Sequence, residues 1–169
     1  MRFLTSAWHS GQLTDSEAEA AEAALRTRQD RIRPRLAAPV QELMDHVNLH
    51  DALLCQARLN RSKRTLDLFL LGGDAPRGYF DLALHYQGLD LDAMEAESLA
   101  RIAENPEAEA LYTEIDLDDK GRCVHRWLWW PYAELDITFE SLEFGVVPRA
   151  DRNPRRATEP YVESSGDAG

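Results

Sequence analysis

The histidines are the residues of this chain best suited to acid–base chemistry near neutral pH. His85 and His125 fall in different predicted strands, so they could meet across a sheet and form an acid–base pair with nearby carboxylates. Histidines that are only hydrogen-bonded in a core or at a surface are the commoner case. The pair therefore supports an alternative hypothesis: an enzyme or small-ligand-binding protein with a site on the sheet surface.

Two short motifs invite a metal interpretation, and both fail on geometry or ligand type. The pair His50-Asp51 opens a predicted strand, where adjacent side chains point to opposite faces and so cannot share one ion. The segment 116–121 resembles the start of a calcium-binding loop. However, Lys120 stands where an oxygen ligand is needed, and Trp127 stands where the bidentate glutamate belongs. We expect no metal site.

The sequence contains no motif that indicates a cofactor. The five histidines show no HxH or HExxH spacing, and the two cysteines, Cys55 and Cys123, form no CxxC pair. No phosphate-binding loop, dinucleotide fingerprint or nucleophile elbow is present in the sequence. Both cysteines lie in strand-like runs, where a free thiol behaves as a small buried hydrophobe. We therefore expect reduced thiols and no cofactor.

The segment Cys123–Trp130 carries three of the four tryptophans within four positions. Side chains alternate along a strand, so Trp127 and Trp129 share one face and Trp130 lies on the other. Core packing is the usual role of such aromatic residues. Tryptophan, tyrosine and arginine are also the residues enriched at binding hot spots. The candidate binding residues of this strand and its exit are Arg126, Trp129, Trp130 and Tyr132.

Charge is distributed unevenly along the chain, whose net charge is −11. From Asp81 to Asp119 there are twelve acidic residues and one basic residue, Arg101. A solvated surface is the ordinary explanation of such a run. An acidic face that steers a basic protein partner is the functional one. Its candidate residues are Glu107, Glu109, Glu114, Asp116 and Asp118.

Three helices are predicted. Thr14 and Glu17 have the spacing of a capping box, which predicts a helix from Asp15 to Arg33, ended by Pro34. Apolar residues at helical spacing predict a short helix over Val40–His46, and composition predicts another over Leu91–Glu104.

Strand-like alternation and turn residues occupy the rest of the chain. The predicted strands are Leu49–Leu59, Thr65–Leu71, Tyr79–Tyr86, Tyr112–Leu117, Cys123–Trp130 and Leu135–Phe144, the last as one strand or as a strand with a turn. Short connections between them imply antiparallel neighbours. We predict an α+β protein with an antiparallel sheet of about five or six strands, on which an N-terminal helix pair and one mid-chain helix pack. Residues 1–148 form a single domain, and the polar segment 149–169 is a disordered tail.

Composition limits the class of protein. A chain of 169 residues with 44% hydrophobic residues suits one globular domain. No apolar run approaches the roughly 18 residues of a membrane span, and the first residues lack the apolar region of a secretory signal. Phosphate repulsion makes so acidic a chain a poor nucleic-acid binder. We expect a cytoplasmic protein that contacts neither nucleic acid nor membrane.

Three pieces of the sequence carry a resemblance. They are the start Phe3–Trp8, the junction Leu49–Ala52, and the stretch Trp130–Phe139, which reads WPYAELDITF. Together they resemble a family of small bacterial proteins that forms a domain of unknown function. The junction followed by strands is also similar to bacterial immunity-type α+β proteins. The resemblance implies a fold type and a bacterial origin, and it brings no catalytic residues with it.

The leading functional hypothesis is a non-enzymatic, cytoplasmic protein-binding domain with an immunity-like or regulatory role. Its recognition surface would combine the acidic segment with the exposed part of the tryptophan strand. A third possibility is a structural domain whose sheet edge pairs with another chain.

Overall fold

Three of the four described helices begin and end close to where the sequence places them, and the short first helix was not predicted. The structure is a computed structural model that describes residues 1–90, 93–131, 133–154 and 156–165. Its helices are α1 (Ser6–His9), α2 (Asp15–Ile32), α3 (Ala38–His46) and α4 (Ala93–Glu104), with a 3-10 turn at Arg33–Arg35. Both bonds of the predicted capping box are present at the start of α2. Pro34 lies within the 3-10 turn that follows α2.

The sheet has eight strands, so the expectation of five or six was too low. They are β1 (Ala52–Asn60), β2 (Thr65–Asp74), β3 (Gly78–Gln87), β4 (Glu109–Leu117), β5 (Cys123–Trp130), β6 (Ala133–Phe139), β7 (Ser141–Arg149) and β8 (Tyr161–Ser164). One extra strand arises because the predicted strand 135–144 divides at Glu140. The other lies in the segment expected to be disordered, where β8 pairs in parallel with β1.

The strand order brings the two ends of the sheet together. The order is β6-β5-β4-β1-β2-β3-β7, and all neighbours in it are antiparallel. Only Glu140 separates β6 from β7, although these strands stand at opposite ends of the order. The Glu140 N–H donates to the Gln87 carbonyl at 2.9 Å, and Asp90 bridges Thr138 of β6. The sheet therefore curls round on itself and has an inner and an outer face.

The inner face holds the core. Alternation in β2 works as predicted: Leu66, Leu68 and Leu70 are buried, while Thr65 and Asp67 are partly exposed. Apolar side chains from the other strands complete the core, the largest being Trp127, Trp129, Tyr86, Phe139 and Leu54.

The helices are distributed around the sheet rather than stacked as a pair beside one further helix. Helix α4 packs against β6 and β1, α3 against β7, and α2 against β4. Of β1, only Ala52 and Leu53 pair with β4, and Ala57–Asn60 pair with β8 instead. Among the described residues, no helix has the length and apolar character needed to cross a membrane.

Candidate functional site

Glu114, a predicted partner-binding residue, is buried and holds the chain's own N-terminus. Its side chain is 1% exposed on the outer face of β4. Its carboxylate accepts hydrogen bonds from the backbone N–H groups of Arg2, Phe3 and Leu4, at 2.9, 2.8 and 2.6 Å. The segment Met1–Leu4, here called the N-terminal arm, thus lies across the outer face. A partner cannot reach this carboxylate.

Asp116 is also buried, at 2% exposure, and is surrounded by guanidinium groups. Arg28 contacts its carboxylate at 2.6 Å, Arg2 at 3.1 Å and Arg126 at 3.2 Å. Burial alone would raise the pKa of Asp116, but the Leu117 N–H and the arginines outweigh it, so the pKa lies below its ordinary value. Asp116 and Arg126, both predicted as partner-binding residues, pair with each other inside this network rather than facing solvent as open charges.

The other predicted acids lie nearer to solvent. Asp118 closes the β4–β5 turn by accepting from the Lys120 and Arg122 backbone N–H groups, at 2.9 and 2.8 Å. Glu109 pairs with Arg152 at 2.7 Å. Glu107 is exposed. Among the described residues of the acidic segment, the carboxylates therefore form no continuous open face.

The tryptophans of β5 divide as the alternation predicts. Trp127 and Trp129 are fully buried on the inner face, where their rings stack with centroids 5.0 Å apart. Trp129, predicted as a partner-binding residue, thus lies in the core. Trp130 is 41% exposed on the other side, at a cis peptide bond with Pro131. Tyr132 lies outside the described residues.

His85 and His125 do not form a pair, because they lie on opposite faces of the sheet. His85 is on the outer face, where its Nδ1 lies 2.5 Å from the Asp67 carboxylate of the neighbouring strand. His125 is fully buried on the inner face, and its Nδ1 lies 2.8 Å from the Tyr86 hydroxyl. The predicted acid–base pair on the sheet surface is therefore not assembled.

The described residues contain no group of three or more His, Cys, Asp or Glu side chains arranged to hold a metal ion. His50 and Asp51 lie in the turn before β1 and not, as predicted, in the strand, and their side chains do meet, with Nδ1 and Oδ1 2.7 Å apart. Asp51 has a positive φ of 62° and ends the turn that leads into β1. Both cysteines are free thiols, and burial raises the pKa of each.

An open groove surrounds Trp130 between α4 and β6. Its volume is about 500 Å³. The lining combines apolar, polar and charged side chains: Ser98, Arg101, Ile102, Asn105, Trp130, Pro131, Ala133 and Glu134. Glu107 lies two residues beyond Asn105, whose side chain accepts from the Glu107 N–H at 3.0 Å. This groove is the place where predicted residues of the tryptophan strand and of the acidic segment come near each other.

A second cavity, which the sequence did not predict, lies where α2, α3 and β4 meet. It has a volume of about 240 Å³, and fully buried His125 is part of its lining. The sequence offers His125 as one histidine among five, but the alternation of side chains along the strand cannot show which helices cover it.

Comparison of the chain with protein-family models, with curated proteins and with solved structures finds no match.

Proposed function

We propose that this protein is a non-enzymatic protein-binding domain that receives a segment of a basic partner in the groove around Trp130. The main support for this proposal is that Trp130 is 41% exposed and borders an open groove of about 500 Å³. Exposed tryptophan in a concave surface is typical of a binding hot spot, because the large ring loses much water-accessible area on contact at little entropic cost.

The groove offers both apolar and charged contacts. Ile102, Pro131 and Ala133 supply an apolar floor beside Trp130, which suits an aliphatic or aromatic side chain of the partner. Glu134 lines the groove but pairs with the Met1 ammonium group at 2.7 Å, so exposed Glu107 nearby is the carboxylate that suits a lysine or arginine of the partner. The net charge of −11 adds a long-range attraction for a basic protein and raises the association rate.

An immunity-like or regulatory role in the cytoplasm is the instance of this class that we favour. Two free cysteines held as thiols suit a reducing compartment. An acidic domain that covers the basic surface of another protein would act by occupying that surface, and it needs no catalytic group. Contact with nucleic acid or a membrane is not part of the proposal.

Peptide display tests the proposal with a defined probe. Random peptides are selected on the wild-type domain and then measured against Trp130→Ser. We expect enriched peptides in which Lys or Arg neighbours an apolar residue, and at least a tenfold loss of affinity in Trp130→Ser, about 1.4 kcal/mol.

Val147→Ser is the matched control, because Val147 is another exposed large hydrophobic residue, at 61%, but lies in β7. This variant should bind the selected peptides as the wild type does. Peptides that bind Trp130→Ser and the wild type equally would contradict the proposal. A thermal melt of each variant shows that the fold is intact.

A further inference from the structure

The outer face of the sheet carries an open, mainly apolar trough that crosses β1, β2, β3 and β7. Its volume is about 470 Å³. Phe69, Ala83 and Gly145 lie side by side across three of these strands. Ala83 and Gly145 are exposed, and a Cβ atom added at Gly145 would meet no other atom within 4 Å. Phe69 and Val147, which is 61% exposed, border this low floor, so the trough has room for an apolar body.

Arg58 brings a guanidinium with no opposite charge to the trough. It lies opposite Asp67 in the β1–β2 register, but the Asp67 carboxylate lies 2.5 Å from His85 Nδ1 instead. The Arg58 guanidinium lies over the Phe69 ring, with its Cζ 5.1 Å from the ring centroid. None of the described carboxylates forms an ion pair with it. Exposed Arg58 therefore keeps its donors available, and the planar guanidinium fits a carboxylate with two parallel hydrogen bonds.

The charges at the trough decide the kind of molecule. Asp81 is the other charged residue in the described lining, and its carboxylate pairs with Arg149 at 3.0 Å. Arg58 is thus the lining charge that remains to be matched. Salt screens the distant acids of the chain over about 8 Å, so the guanidinium in contact dominates.

We propose that the trough binds a small organic acid with an apolar body about the size of two fused rings and one carboxylate. The carboxylate pairs with Arg58, and the apolar body covers Ala83 and Gly145. The described lining of the trough has no residue in common with that of the Trp130 groove, so either proposal can fail without the other.

2-Naphthoate is a suitable probe, since it joins two fused rings to one carboxylate. Titration into the ¹⁵N-labelled protein should move the Ala83 and Gly145 amide resonances saturably. A ligand of about 13 non-hydrogen atoms at ordinary ligand efficiency has a dissociation constant on the order of 1 mM. 2-(Aminomethyl)naphthalene, which has the same rings and a positive charge, should bind at least about tenfold more weakly. Absence of a saturable shift at about 10 mM naphthoate, or equal binding of the amine, would overturn the proposal.

Gly145→Leu tests the location, because the new side chain enters the open space above the floor without meeting another part of the fold. It should abolish the shift of the Ala83 amide on addition of naphthoate. Val146→Leu is the matched control, since Val146 is also exposed but its side chain points to the other side of the strand. It should bind naphthoate as the wild type does. Wild-type affinity in Gly145→Leu would reject the trough as the site.

Arg58→Gln tests the charge, and it keeps the test decisive if Gly145→Leu does not fold. It should weaken naphthoate binding about tenfold and remove the preference for naphthoate over the amine. Arg77→Gln changes the net charge equally at an exposed turn outside the described lining, and it should keep the preference. A preference that persists in Arg58→Gln would show that another group holds the carboxylate, which would overturn the assignment.

Discussion

The Glu114 carboxylate takes the place of water for three consecutive backbone N–H groups of the N-terminal arm. Hydrogen bonds to a charged acceptor are stronger than neutral ones, and breaking a buried set leaves donors without partners. A single side chain therefore fixes the start of the chain on the outer face of β4. Asp116 lies two residues further along the same face of β4. Its carboxylate pairs with the guanidinium groups of three arginines.

Glu114→Gln should destabilise the protein by about 2 to 4 kcal/mol. The amide keeps the size of the side chain but loses the charge, and its NH₂ group points a donor at other donors. Urea unfolding measures the free energy. Glu107→Gln is the matched control, because Glu107 is exposed, and it should change stability by less than about 0.5 kcal/mol. Equal values for the two variants would show that the arm is not held by this carboxylate.

At the scale of elements, β8 completes the edge of β1. The Ala57 N–H donates to the Pro160 carbonyl at 2.8 Å, and the Arg61 N–H donates to the Ser164 carbonyl at 3.1 Å. Tyr161 packs against the hydrophobic core. The sequence shows a polar segment with two prolines here, and such composition favours disorder unless a partner strand is available. The partner strand of β8 is β1, which lies about a hundred residues earlier in the chain. The local sequence pattern around residue 161 cannot reveal a pairing over that distance.

Removal of residues 158–169 should lower stability by about 1 to 3 kcal/mol, because the backbone hydrogen bonds to Ala57 and Arg61 and the packing of Tyr161 are lost. Hydrogen exchange gives the sharper measurement. The Ala57 and Arg61 amides should lose protection in the truncated protein, whereas Leu84, in β3, should keep it. Unchanged protection at Ala57 would mean that β8 does not pair there.

At the scale of the whole molecule, the local sequence pattern predicts the individual helices and strands better than it predicts how the sheet curls round on itself. Strand β5 has the predicted bounds, because alternation and the Gly121 and Pro131 positions delimit it. The curled sheet could not be predicted, since it depends on Glu140 joining the two ends of the strand order. The site was predicted only in part. Charge patterning predicts exposed acids, and Glu114 is buried because the N-terminal arm, 110 to 112 residues away, supplies its donors.

Closure of the sheet also gives the whole molecule a dependence on pH. Complete burial lowers the pKa of His125 to about 3 in the folded protein, whereas an unfolded histidine has a pKa of about 6.5. Between these values the unfolded chain binds the extra proton and the folded chain does not. The free energy of unfolding is therefore highest above pH 6.5 and falls as the pH is lowered towards 3.

The free energy of unfolding should fall by about 1.4 kcal/mol for each pH unit below 6.5, or by about 2 kcal/mol between pH 7 and pH 5. Most carboxylates stay ionised in this range. Urea unfolding across this range measures it. His125→Gln should flatten the pH dependence, because the neutral amide has no proton to gain. His46→Gln should retain it, because His46 is exposed at the end of α3. A wild-type stability that does not change from pH 7 to pH 5 would show that His125 takes up its proton in the folded protein, which would require water to reach Nε2 through the cavity.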